Sequence, residues 1–172
     1  ALKNDSDRSE GGFADAIAAA QRADVVILIL GESGDLSGEA HSRAILDLPG
    51  AQNAVIEAIA KIGKPTVLIV EAGRPLTIGR QIEKVDAVLY AFHAGTMAGP
   101  ALADLVWGIE SPVGRLPVTF PKSVGQVPLY YNHATTGRPP LPSDFPRDSH
   151  IDDNVHRDFG NVTTYIDVGP YP

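Results

Sequence analysis

The chain has 172 residues, 44% hydrophobic and 20% charged, the balance of a globular domain with its own core. A formal net charge of −7 offers no general basic field for nucleic acid, and no apolar run approaches the roughly 20 residues of a membrane span. With no cysteine in the chain, disulfides and thiolate metal sites are excluded, and no compartment is assigned.

Residues 1–8 are polar and do not read as a natural domain start. Residues 12–22 (GFADAIAAAQR) are alanine-rich and place Phe13, Ile17 and Ala20 on one helical face. Asp24 opens a strand at 25–30 (VVILIL), whose unbroken apolar, β-branched character predicts cover on both faces, as in a parallel sheet. A long polar loop, 31–43, follows. Residues 50–62 form a second helix with a buried stripe of Val55, Ile56, Ile59 and Ile62, closed by Gly63. Pro65 introduces a strand at 66–70. A short turn then leads to a helical stretch at 77–84. Asp86 precedes the third strand, 87–92, and a fourth helix, 99–107, ends at Gly108.

Helix and strand thus alternate three times. This predicts an α/β fold: a three-layer α/β/α sandwich with a mainly parallel sheet and right-handed crossovers. From Ser111 proline becomes frequent and helical periodicity is lost. Residues 113–121 are expected to hold a short edge strand. Residues 139–158 read as an extended surface excursion that wraps a neighbouring domain or lines a site. The division is therefore a sandwich domain at 1–138 and a Pro-rich extended loop and linker at 139–172.

In open parallel sheets ligands sit beyond the carboxyl ends of the strands. Three loops follow those ends here: 31–43, 71–74 and 93–96. The first far exceeds the about 2–6 residues that such connections usually take. It carries Glu32, Asp35, Glu39, His41 and Arg43. Carboxylates with nearby cations suit acid/base work on hydroxyl-bearing substrates, and glycoside hydrolysis needs two carboxyl groups flanking the scissile bond. Each candidate also has a structural reading. Glu32 directly follows the strand, where a carboxylate often caps a helix or accepts loop N–H groups. Asp35 lies in the turn-like Ser33-Gly34-Asp35 and is open to solvation. Glu39 is flanked by Gly38, which permits unusual backbone angles and close approach. His41 and Arg43 read as supports, with Arg43 pairing with Glu32 or Asp35. Glu71 and Arg74 fit a strand-end turn, and a local hydrogen bond is the default for His93. The five histidines (His41, His93, His133, His150, His156) have no metal-ligand spacing. GxSxG, Walker-type and GxGxxG motifs are absent. No cofactor and no metal are expected.

Several strings occur in order: ADVVILILGES, SGEAHSRAILDLPGAQ, GKPTVLIVEAGRPLTI, AVLYAFHAGTMAGPALADLVWG, SPVGRLPVTFPKSVGQVPLYYNH and TTGRP. Together they resemble the second, α/β-sandwich domain of family 3 glycoside hydrolases, especially the bacterial β-glucosidase branch, over about residues 12–139. The later TTYIDVGPYP resembles the segment leading into that family's fibronectin-type domain. The resemblance implies a retaining exo-acting β-glucosidase whose nucleophilic aspartate lies on a separate TIM-barrel domain. The general acid/base glutamate then falls in Ser37-Gly38-Glu39-Ala40-His41-Ser42-Arg43 and maps onto Glu39, with Glu32 as the fallback and Asp35, His41 and Arg43 as the supporting loop. It also implies a β-glucoside or oligosaccharide substrate and a periplasmic or secreted location, with neither nucleic acid nor membrane as partner. By this comparison the chain begins mid-domain and lacks both the barrel and the terminal domain. It is expected to be one piece of a divided enzyme, inactive alone and paired with a barrel-bearing chain. The alternatives are another specificity of the family, such as β-xylosidase, or a non-catalytic α/β module that binds a sugar or another partner.

Overall fold

A computed structural model describes residues 2, 7–130 and 132. The expected boundary at 138/139 and the Pro-rich segment beyond it lie outside the described residues. Helix α1 (Phe13–Arg22) leads into strand β1 (Val26–Gly31), then α2 (Gln52–Ala60), β2 (Thr66–Glu71), α3 (Gly79–Ile82), β3 (Ala87–Tyr90) and α4 (Ala98–Val106). The three strands are parallel in the order β1-β2-β3, with Val26 opposite Thr66 and Val67 opposite Ala87. This is the sheet of an α/β sandwich, as the alternation predicts.

The elements follow from their side chains. In α1, Phe13 and Ala20 are buried, and they pack with Val55 and Ile59 of α2 and with Val26 at the start of β1. Ile56 of α2 turns instead to Leu68 and Val70 of β2 and to Leu76 and Ile78 beyond it. Full burial of one such side chain contributes about 1.5–3 kcal/mol, so this face of the sheet carries much of the fold's stability. The predicted stripe of α2 is observed, with Ile62 partly buried beyond the helix end. Gly63 takes a φ of 73°, and its N–H bonds the carbonyl of Ala60 at 3.1 Å.

Three expectations are corrected. First, β1 is not covered on both faces among the described residues, since Ile29 is 59% exposed. The strand buried on both faces is β2, where Leu68, Ile69 and Val70 are all at 2% or less. An unbroken apolar run does not distinguish an edge strand from a central one. Second, residues 113–121 contain no strand among the described residues. Pro117 and Pro121 cannot donate to a ladder. The segment is instead anchored by the buried Phe120, whose ring meets Tyr90 edge-on at 4.7 Å. Third, the helix expected at 77–84 shortens to four residues and the strand expected at 87–92 ends at Tyr90. Phe92 sits at a φ of 52°, outside strand geometry.

An apolar groove of about 970 Å³ runs between β3, α4 and the chain from Ser111 to Pro117. None of the candidate carboxylates borders it. The parallel strands instead place the polar loops together at their carboxyl ends.

Candidate active site

The site is built where β1 and β2 end. Gly31 closes β1 with a φ of 149°, and a Cβ there would lie 1.8 Å from the carbonyl oxygen of Glu71. Only glycine lets the two backbones approach this closely. The side-chain amide of Gln52, the first residue of α2, holds that position from the other side. Its Oε1 accepts the Gly31 N–H and its Nε2 donates to the Gly31 carbonyl, both at 2.7 Å. The next residue, Glu32, donates its backbone N–H to Glu71 at 2.8 Å. The sheet therefore fixes the direction in which Glu32 leaves β1.

The Glu32 side chain has no exposed surface. Arg43 donates to its Oε1, and Arg74 donates from Nε to its Oε2 at 3.2 Å. The sequence offered Arg43 two partners, Glu32 or Asp35, and the ion pair forms with Glu32. The carboxylate binds guanidinium groups rather than loop N–H groups. Both of its oxygens are thus engaged, and its side chain has no exposed surface.

Asp35 and Glu39 are exposed, and neither has an ion-pair partner among the described residues. Glu39 projects from a loop of tight turns, in which Leu36 N–H bonds Ser33 at 3.0 Å and His41 N–H bonds Gly38 at 3.1 Å. The unusual backbone angle expected of Gly38 belongs to Ala40, at a φ of 62°. A non-glycine residue held there stores about 1–3 kcal/mol. Gly38 serves close approach instead, since a Cβ on it would lie 3.2 Å from the His41 imidazole Nδ1.

The three strand-end loops do converge. His93 Nε2 lies 3.2 Å from Ser37 Oγ. Gly73 lies between them, and a Cβ on it would come within 1.9 Å of that hydroxyl and 2.8 Å of that nitrogen. Arg74, which the sequence presents as a turn residue, reaches furthest. Besides Glu32, its Nη2 donates to the carbonyls of Leu36 and His41. Arg43 holds the exit of the loop through the Asp47 carbonyl at 3.0 Å. Thr77 secures the same region through the Leu46 carbonyl at 2.9 Å and the Asp47 carboxylate. No spacing or motif signals the parts played by Gln52, Gly73 and Tyr90. Among the described residues no cluster of histidine and carboxylate side chains could hold a metal ion, and no helix is long and apolar enough to cross a membrane.

Tyr90 supports this arrangement from β3. Its hydroxyl donates to the Arg74 carbonyl and accepts the Leu76 N–H at 3.2 Å. Burial pushes the hydroxyl up to about 12, opposed by the Leu76 hydrogen bond; the Glu32 charge pushes it up further and Arg74 pulls it down. The unfolded chain ionises near the ordinary 10.0 and the folded chain only near 12, so stability is complete below pH 10 and falls as pH rises toward 12. Tyr90→Phe is expected to lose about 1–3 kcal/mol at neutral pH by stranding two backbone groups. It should also flatten that alkaline decline. Urea unfolding at neutral and alkaline pH checks both, and an unchanged alkaline slope would remove Tyr90 as its source.

The family model described as the glycosyl hydrolase family 3 C-terminal domain matches residues 2–156. The chain is 42% identical over 139 residues to a protein of Salmonella typhimurium named periplasmic beta-glucosidase, covering 81% of this chain and 18% of that protein. It is also 42% identical over 123 residues to a protein of Formosa agariphila named beta-xylosidase, covering 72% of this chain and 17% of that one. Among solved structures it resembles the beta-glucosidase of Listeria innocua in complex with gluconolactone. The TM-score there is 0.76 at 41% identity, over 81% of this chain and 19% of that chain. The chain thus spans less than a fifth of the length of these relatives.

Proposed function

Since the chain belongs to glycoside hydrolase family 3 and matches its C-terminal domain, we propose that it supplies the general acid/base, Glu39, of a retaining, exo-acting β-glucosidase. The observation that carries this reading is the contrast between two carboxylates on one loop. Glu32 is enclosed and held by two arginines, whereas Glu39 is exposed on a loop held at both ends. Glu39 first donates a proton to the departing glycosidic oxygen and then takes one from the water that releases the glycosyl-enzyme. The nucleophilic aspartate comes from a TIM-barrel domain, so turnover requires both domains. Asp35 and His41 flank Glu39 as supports. Arg43 acts through Glu32 and the loop exit.

The substrate in this reading is a terminal non-reducing β-D-glucosyl residue, as the names of the Salmonella and Listeria relatives support. A β-xylosyl residue is the second reading, supported by the equally identical Formosa relative. A periplasmic or secreted location is also part of the proposal, supported by the name of the Salmonella relative.

The reading is tested with the enzyme that joins this domain to its barrel, by proton NMR of the first sugar released from aryl β-glucoside and aryl β-xyloside. Retention predicts that the β-anomer appears first and mutarotates later. Initial release of the α-anomer would overturn the double-displacement reading, and faster release of xylose would move the substrate to the second reading.

A further inference from the structure

We propose that Arg74 is the positioning residue for the acid/base loop and sets where the Glu39 carboxyl stands. This rests on the assignment of Glu39 above. Leu36 and His41 bracket the four residues 37–40 that carry Glu39, and one guanidinium nitrogen of Arg74 donates to both bracketing carbonyls. The same guanidinium donates through Nε to Glu32 at 3.2 Å, and Glu32 leaves the sheet from the fixed end of β1. The Arg74 backbone is held in turn, because its carbonyl accepts the Tyr90 hydroxyl of β3.

Each end of this connection is therefore rigid, and the span between them is one planar side chain. Arg43 does not have this reach. It joins Glu32 to the Asp47 carbonyl and so holds the loop's exit rather than the Glu39 segment. Gly73 lets the turn press against Ser37 without a Cβ in the way, which brings Arg74 within reach of the loop. A lysine at position 74 keeps a cation beside Glu32. It lacks the planar fork that serves a carboxylate and two carbonyls together.

The test compares kcat/KM for two substrates in the barrel-containing enzyme, with Arg74→Lys and Arg74→Ala measured beside Glu39→Ala. An alkyl β-glucoside needs a proton on its leaving group, whereas a dinitrophenyl β-glucoside does not. A shift of the loop by about 1 Å is expected to lower kcat/KM for the alkyl substrate by ~10²-fold. The value for the dinitrophenyl substrate should change by less than ~3-fold, because positioning for protonation is not used there. The alkaline limb of the kcat/KM profile on the alkyl substrate, the side on which a general acid is lost, should weaken in parallel.

A purely structural role for Arg74 would reduce both values by the same factor, by lowering the folded fraction. Equal losses, or no loss on the alkyl substrate in Arg74→Lys, would overturn the proposal. Arg74→Lys guards against a failure of Arg74→Ala to fold. If Glu39→Ala itself shows no leaving-group selectivity, the acid/base assignment fails, and the role of Arg74 with it. If Glu39→Ala is selective and neither Arg74 variant is, only the positioning role fails.

Discussion

Replacing Glu39 with alanine in the barrel-containing enzyme is expected to lower kcat/KM on an alkyl β-glucoside by ~10²–10⁴-fold, the usual contribution of a positioned general acid. The value on a dinitrophenyl β-glucoside should barely move, because that leaving group departs without a proton. The kcat on the same substrate should fall, since release of the glycosyl-enzyme still needs a base to activate water. Azide needs no such base. Added azide should therefore restore kcat and yield β-glucosyl azide, whose configuration records two inversions. Glu39 is exposed and carries no ion pair among the described residues, so the substitution should change unfolding free energy by no more than about 0.5 kcal/mol. Catalytic loss without destabilisation is the signature sought. A loss equal on both substrates, or none, would move the proton-transfer role away from Glu39.

The second large effect concerns Glu32 and reads out in stability. Its side chain has no exposed surface and binds the guanidinium groups of two arginines whose side chains are only 15% and 21% exposed. Glu32→Ala leaves both cations without their shared anion. Breaking a buried pair from one side typically costs about 3–5 kcal/mol. Urea unfolding should show a loss of that size. Activity should fall on all substrates together as the folded fraction drops, with a further loss on the alkyl substrate as the loop loosens. The isosteric Glu32→Gln separates volume from charge: it fills the site but brings no negative charge to the two guanidiniums, so it too should be destabilised. Unchanged stability would show that the network contributes little. A loss of kcat/KM on the alkyl substrate at unchanged stability, with azide restoring kcat on the dinitrophenyl substrate, would instead give the proton-transfer role to Glu32.

Much of this arrangement is legible in the sequence. The strands announce themselves by runs such as VVILIL and TVLIV, because apolar β-branched residues suit few other positions. The helix faces of α1 and α2 follow from spacing, and the long loop after β1 marks the place where side chains gather. What spacing cannot provide is contact between loops. Arg74 and Glu32 lie 42 positions apart and meet only because β1 and β2 are parallel neighbours. Arg74 therefore reads as an ordinary turn residue until the fold brings it to the loop. Gln52 is illegible for the same reason, since a glutamine at a helix start does not announce that it holds a glycine 21 residues earlier. The left-handed Ala40 was hidden by its neighbour, because Gly38 is the residue that sequence reasoning expects to bend.

The contacts of Arg74 on the loop are both to main-chain carbonyls. Every residue type has that group, so the attachment is indifferent to which side chains stand at positions 36 and 41. The four residues between them are less free: Ser37 meets His93, Gly38 allows the approach of His41, and Glu39 is the group the frame carries. For redesign, the side chains at positions 36 and 41 are the variable unit, and the arginine is the fixed mount that every version would share.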